Sequence, residues 1–284
     1  MPALHPDCLA YLEDLRELSM PAATPEQVRA RYRFLCRRYA GPPIGVRVED
    51  AGGKAPMRLY GEGERLLVWF HGGRMVSGDL ETHDWLCRAL ARESGGRVLA
   101  VDYRLAPEHR FPAALEDASA ALRFARTLSG KVAAGGDSAG AALALAAALD
   151  EPNPLAGLVL IYPMIDATCS LPSHREFENG PGTSGRDIAL GYDWWLPTDA
   201  DRRDARVSPL HAAGFEKLPR TLVVTCGVDP LRDEGLALVE RLSAARLEVE
   251  HVHYATLLHG FLTYPARFAA AHDAGAEIAA FVRG

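Results

Sequence analysis

Ser138 sits in the run Gly135-Gly136-Asp137-Ser138-Ala139-Gly140, between the apolar segment Lys131-Val132-Ala133-Ala134 and the alanine-rich stretch from Ala141 to Leu149. That context predicts a turn in which the chain leaves a strand and enters a helix within a few residues. A serine held at such a turn takes a strained backbone conformation that lifts its hydroxyl clear of the sheet. Gly136 and Gly140, two places to either side, leave room for the neighbouring strand and helix, and Ala139 is nearly as small. The helix start adds free N–H groups and partial positive charge, which favour an anion forming beside the hydroxyl. The chemistry this suits is nucleophilic attack by the serine. Two phosphate-binding patterns fail on residue identity: a dinucleotide fingerprint needs glycine where Asp137 stands, and a Walker A loop needs lysine where Ala141 follows Gly140.

A serine hydroxyl is a poor nucleophile near neutral pH and needs a base, itself oriented by a third group. Asp229 follows the apolar run that ends at Cys226-Gly227, and His259 follows the last apolar run in Leu257-Leu258-His259-Gly260-Phe261. The chain order Ser138, Asp229, His259 is that of the α/β-hydrolases, with each residue at the C-terminal end of a strand. Asp233 and Glu234, a turn beyond Asp229, read as favourable charge at a helix N-terminus. A fourth component follows Phe70, where His71-Gly72-Gly73-Arg74 permits a backbone that turns N–H groups toward the serine. The amides of Gly72, Gly73 or Arg74, with that of Ala139, are the expected oxyanion donors. His71 reads as a hydrogen bonder that stabilises this loop, in preference to a proton-transfer group.

These groups need a scaffold. Runs rich in Val, Leu and Ile predict eight strands, over 45–50, 57–61, 66–70, 98–103, 132–135, 158–162, 222–226 and 248–254. Helices are expected over 82–93, 112–128, 139–149, 231–245 and 266–281, so the fold class is α/β, a mostly parallel sheet flanked by helices on both faces. Such sheets bind ligands at the carboxyl ends of their strands. Two pieces break the alternation: residues 1–42, with an amphipathic helix over 27–35, and the Pro/Gly-interrupted stretch 167–219. Together they are expected to cover the serine as a lid, leaving 43–166 and 220–284 as the core. Trp194 and Trp195 in the insertion are candidates for an apolar substrate wall, and packing between lid and core explains them equally well.

The 284 residues suffice for a full core, and 48% hydrophobic with 24% charged content is that of an ordinary globular protein. A net charge of -6 without a long basic run argues against nucleic acid as a partner. The N-terminal stretch carries early acidic residues and no apolar segment of signal-peptide or membrane-spanning length, so a cytoplasmic protein without membrane insertion is expected. Five dispersed cysteines, Cys8, Cys36, Cys87, Cys169 and Cys226, form no CxxC pair, so no disulfide framework or zinc knuckle is indicated. Cys226 reads as a core filler, and His251 with His253 lacks a third metal ligand nearby.

Taken together, His71-Gly72-Gly73, Ser77-Gly78, Thr82-His83-Asp84, the run from Asp102 to His109, the GDSAG turn, the run from Asp229 to Gly235 and His259-Gly260-Phe261 resemble the hormone-sensitive lipase family, in its bacterial carboxylesterase branch. The resemblance runs from about Gly45 to the C-terminus. It implies an α/β-hydrolase fold with a helical cap, acting as monomer or homodimer on small-molecule short- to medium-chain esters without a cofactor. It also implies Ser138 as nucleophile, His259 as general acid/base and Asp229 as the carboxylate that orients it. One departure stands out: the family usually continues HGG with a third glycine and an aromatic residue, whereas this chain has Arg74 and Met75. Arg74 is expected to be anchored by hydrogen bonds and to shape the pocket, with bulky tertiary-alcohol esters disfavoured as substrates. An amidase, lactonase or thioesterase could use the same three residues. A catalytically silent ligand receptor on this fold would have no need of His259, and an epoxide hydrolase or dehalogenase would carry aspartate in place of Ser138.

Overall fold

The run Leu66-Leu67-Val68-Trp69-Phe70 has no polar side chain to turn toward water, so as a strand it requires cover on both faces. In the computed structural model, which describes residues 3–20 and 22–284, its alternate residues enter two separate cores. Leu66, Val68 and Phe70 join one, and Leu67 and Trp69 the other. The sheet comprises β1 (Val48–Ala51), β2 (Met57–Gly61), β3 (Arg65–Phe70), β4 (Arg97–Val101), β5 (Lys131–Asp137), β6 (Leu158–Ile161), β7 (Thr221–Val228) and β8 (Val249–Leu258). Their spatial order is β1-β2-β4-β3-β5-β6-β7-β8. The β1–β2 and β2–β4 pairings at the β1 edge are antiparallel, and every pairing from β4 across to β8 is parallel.

Helices α4 (Ala113–Leu128), α5 (Ala139–Asp150) and α8 (Arg232–Ala244) contribute to the first core, and α3 (Asp84–Ser94) and α9 (Ala270–Arg283) to the second. The N-terminal helices α1 (Pro6–Leu18) and α2 (Pro25–Arg38) join the second through Cys8, Tyr11, Leu35 and Cys36. The stretch after β6 holds α6 (Pro172–Glu176) and α7 (Gly185–Trp195), and α7 buries Ile188, Tyr192 and Trp195 at helical spacing against the first core. Residues 1, 2 and 21 of the expected N-terminal lid segment lie outside the described residues.

Some boundaries differ from expectation, for local reasons. The first strand starts at Val48, three residues later than expected, because pairing with β2 begins only there, at Val48 opposite Tyr60. The last helix starts at Ala270: Phe261–Thr263 forms a short 3₁₀ turn, and Pro265 follows it. β8 runs on to Leu258, past a register shift opposite Gly227, and so delivers the next residue, His259, to the same edge as the end of β7.

Candidate active site

β3 and β5 run parallel with Phe70 opposite Gly136, so the segments that leave them lie side by side. The first segment out of β5 is the elbow. Ser138 has φ 54° and ψ -116°, and its N–H still donates to Ile161 O on β6 at 2.8 Å before α5 begins at Ala139. The turn is sterically closed, because a Cβ on Gly140 would lie 1.9 Å from Phe70 O and one on Gly136 2.4 Å from the same oxygen. Only glycine fits there without moving β3.

The three sequence-predicted side chains are brought together. His259 Nε2 lies 3.0 Å from Ser138 Oγ, and His259 Nδ1 lies 2.8 Å from Asp229 Oδ2. A carboxylate can only accept, so Nδ1 carries the proton and donates, which leaves Nε2 to accept from the serine hydroxyl. Asp229 is fully buried, and its other oxygen accepts from Leu231 N at 2.7 Å, which fixes the carboxylate on the turn after β7. The Tyr162 ring packs 4.6 Å from the imidazole and limits how it can turn.

The segment out of β3 is folded by its own backbone. Val76 N and Ser77 N both donate to Gly73 O, and Gly73 takes φ 128°, where a Cβ would lie 2.0 Å from Ser77 O. Among the expected oxyanion donors the structure separates one from the rest. The Gly72 amide donates to Asp137 Oδ1 at 3.0 Å and is already committed. The amides of Gly73, Arg74 and Ala139 have no acceptor among the described residues. Asp137 also accepts from His83 Nε2 at 3.0 Å. Burial alone would raise the Asp137 pKa, but His83, His71 and the Gly72 amide outweigh it and hold the carboxyl below its usual value. The side chain between Gly136 and Ser138 therefore ties the elbow to its neighbouring loop.

His71 stands behind the loop, outside the cavity. Its ring stacks on Tyr103 at 4.2 Å, Nδ1 donates to Gly72 O at 2.9 Å, and the Tyr103 hydroxyl donates to His71 O at 2.7 Å. Nε2 is buried with no partner, and burial together with the nearby His83 pushes the pKa down to about 4.

Above Ser138 lies a cavity bordered by Gly73, Arg74, His259 and Gly260 from the sheet edge, and by Tyr11, Val28, Arg31, Tyr32 and Leu35 from α1 and α2. Gly182, Thr183 and Asp187 complete it from the stretch after β6. Trp194 and Trp195, candidates for this wall, do not line it. Trp195 is buried against Phe111 at 5.5 Å and its carbonyl accepts from Phe111 N, because α7 turns its 188, 192 and 195 positions to the core. The aromatic wall is instead Tyr11, Tyr32 and Tyr264, which sequence reasoning passed over. The 3–4 spacing of Val28, Tyr32 and Leu35 within α2 is the signal that marks this face. Arg74 takes φ 59°, and its Nη1 donates at 3.3 Å to both the carbonyl and the carboxylate of Asp187.

Glu234 lies in the first turn of α8, as its position suggested, but it does more than charge the helix start. It is fully buried, and Oε2 accepts from Ile165 N and from Asp166 N at 2.8 Å, while Oε1 meets His174 Nε2 at 2.7 Å. Burial raises its pKa to about 6 against the pull of His174. Nothing local in the sequence announces partners 60 to 69 residues away. His251 and His253 share Thr225 Oγ1, each at 2.8 Å. Among the described residues no group of three or more His, Cys, Asp or Glu could hold a metal ion, and no helix is long and apolar enough to cross a membrane.

A profile of the α/β hydrolase fold matches residues 67–263, which include Ser138, Asp229, His259 and the loop after β3 but not α1, α2 or Tyr264. The chain belongs to the α/β-hydrolase family. Within this family the hydrolase is 40% identical to a carboxylic ester hydrolase, LipN, of Mycobacterium tuberculosis, over 82% of this chain and 69% of that one. It is 32% identical to an ethyl acetate hydrolase of Pseudomonas putida, over 92% of each. The solved structure of an esterase from the bacterial hormone-sensitive lipase family superposes with a TM-score of 0.89 at 28% identity, covering 99% of both chains. This places the hydrolase in the hormone-sensitive lipase branch, as the resemblance of its motifs implies.

Proposed function

We propose that this hydrolase is a serine carboxylesterase acting on short- to medium-chain acyl esters through Ser138, His259 and Asp229. The observation that carries the reading is the continuous relay from Asp229 Oδ2 through His259 to Ser138 Oγ, with links of 2.8 and 3.0 Å, at the floor of the cavity. Ser138 Oγ attacks the ester carbonyl as His259 Nε2 takes its proton, and Asp229 stabilises the imidazolium. The oxyanion that forms is received by the uncommitted amides of Gly73, Arg74 and Ala139. Each such donor contributes about 2.7–4 kcal/mol to the transition state. Collapse of the tetrahedral species expels the alcohol with the proton from His259 and leaves an acyl-enzyme. Water, activated by the same imidazole, then releases the acid and restores the hydroxyl.

The helices α1 and α2 with residues 167–219 serve as the cap over this site. Their tyrosines and leucines close the cavity above the serine and favour short acyl chains. A panel of p-nitrophenyl esters from acetate to palmitate, run with wild type and Ser138→Ala, tests the proposal. Activity is expected to peak at short or medium chains and to fall by on the order of 10⁴-fold or more in the variant. A peak at palmitate would point to a true lipase, and undiminished activity in Ser138→Ala would remove the nucleophile.

A further inference from the structure

Three arginines alternate along α2, and they have different fates. Arg29 is tied to the core: Nε donates to Val76 O at 2.8 Å, Nη2 to Ala106 O at 2.8 Å, and both terminal nitrogens meet the Glu108 carboxylate. Arg33 meets Asp79 at 2.5 Å. Arg31 lies between them in sequence, borders the cavity, and has no acceptor among the described residues. The helix is fixed by the first and third guanidinium, and the second is left facing the space above Ser138.

Across that space stands Arg74, where the family carries glycine. Its side chain is 17% exposed, and only Nη1 is engaged, by two long bonds of 3.3 Å to Asp187. Nε and Nη2 have no acceptor among the described residues, and neither is sealed from solvent in protein. Burial lowers the Arg74 pKa, Asp187 pulls it back up, and the like charge of Arg31 adds to the lowering, so the two guanidiniums feel one another. The carboxylates at the cavity wall absorb only part of this charge, through the one bond from Arg74 Nη1 to Asp187 Oδ1. Asp187 also accepts from Ser184 N and Oγ as a helix cap, and Asp137 is buried on Gly72 and His83. One unpartnered guanidinium and one engaged only at Nη1, in a partly desolvated cavity, are a geometry that a carboxylate completes with charge-assisted, bidentate bonds.

We infer that this cavity selects esters that carry a second, free carboxylate, held by Arg31 and the spare donors of Arg74. The inference rests on the esterase reading above and names the substrate class for the same site. The carboxylate can belong to the acyl chain, as in a half-ester of a dicarboxylic acid, or to the alcohol. Both place an anion beside a hydrolysable carbonyl.

The test compares matched pairs by kcat/KM at low salt. Monoethyl adipate is set against ethyl hexanoate for the acyl side, and 3-(butanoyloxy)benzoate against phenyl butanoate for the alcohol side. In at least one pair the acid is expected to be preferred by about tenfold or more. That ratio should fall at least about fivefold in Arg31→Gln and be partly kept in Arg31→Lys. Raising the salt from about 50 to about 500 mM should compress it in the wild type, a readout independent of any variant. Equal or neutral-favouring ratios in both pairs, with hydrolysis still dependent on Ser138, overturn the carboxylate preference and leave the esterase intact. Absence of Ser138-dependent hydrolysis of all four compounds overturns both.

Discussion

The elbow and the loop beside it face the same cavity, leave neighbouring parallel strands, and store backbone strain in non-glycine residues, yet they are supported differently. In the elbow the strained residue is Ser138, and everything that makes room for it is local: Gly136 and Gly140 against Phe70 O, and Ser138 N on Ile161 O. In the loop after β3 the strained residues are Arg74 and Met75, with φ of 59° and 64°. Left-handed backbone costs about 1–2 kcal/mol for such residues. Here the compensation comes from α7. A Cβ on Gly191 of α7 would lie 2.8 Å from Arg74 Cβ, so the glycine makes room for Arg74, and Asp187 one turn earlier takes the guanidinium. The core supports Ser138, whereas α7 supports the loop after β3. Changes in α7 should therefore reach the proposed catalysis through Arg74.

The contrast can be broken at its core end most severely. In Gly140→Ala the new methyl meets β3 backbone, and β3 cannot retreat because it is hydrogen-bonded to β4 and β5 on its two sides. A loss of more than about 4 kcal/mol in urea unfolding, or failure to accumulate soluble protein, is expected. A variant within about 1 kcal/mol of wild type would mean the elbow is not closed as described.

Next in size is the support behind the loop. His71 has its folded pKa depressed to about 4 from an ordinary 6.5. Its contribution is fully present above pH 6.5 and is lost as the pH falls toward 4, because protonation would place an unpartnered N–H on the buried Nε2. The stability advantage of wild type over His71→Asn should shrink by about 3 kcal/mol across that window. An advantage independent of pH would remove the buried neutral imidazole from the account.

The smallest effect is the most discriminating. Gly191→Ala gains about 1 kcal/mol of helix propensity but crowds Arg74. A net loss of about 1–2 kcal/mol and roughly a tenfold fall in kcat/KM are expected. Adding Arg74→Gly should recover most of both, with a coupling of about 1 kcal/mol or more in the double-mutant cycle. Additive effects would show that α7 does not support the loop.

This division also explains what could be read from the chain. The eight strands, the sheet class and the convergence of Ser138, Asp229 and His259 were legible because each rests on short-range pattern: apolar runs, a glycine-spaced serine, and acidic and imidazole groups just past strand ends. The apolar face of α2 was legible as a helix expected to lie over the serine, although which of its side chains would face the cavity was not. The rest depends on contacts between distant segments. Commitment of the Gly72 amide to Asp137 needs the register of β3 against β5. The burial of Glu234 needs the stretch after β6 folded over α8. Trp195 turns from the cavity to Phe111 because α7 has a core face, and the tyrosine wall exists only when α1 and α2 are docked. Periodicity specifies which face of a helix is apolar and says nothing about which of two apolar surfaces it meets.

The most direct test of the central claim is titration with diethyl p-nitrophenyl phosphate, a reagent that phosphorylates an activated serine and releases p-nitrophenolate. With Ser138 poised 3.0 Å from a base oriented by Asp229, about one equivalent should be released per chain, with the adduct on the peptide bearing Ser138 and ester hydrolysis abolished in step. No release, or an adduct on another residue while Ser138→Ala still hydrolyses esters, would contradict the account.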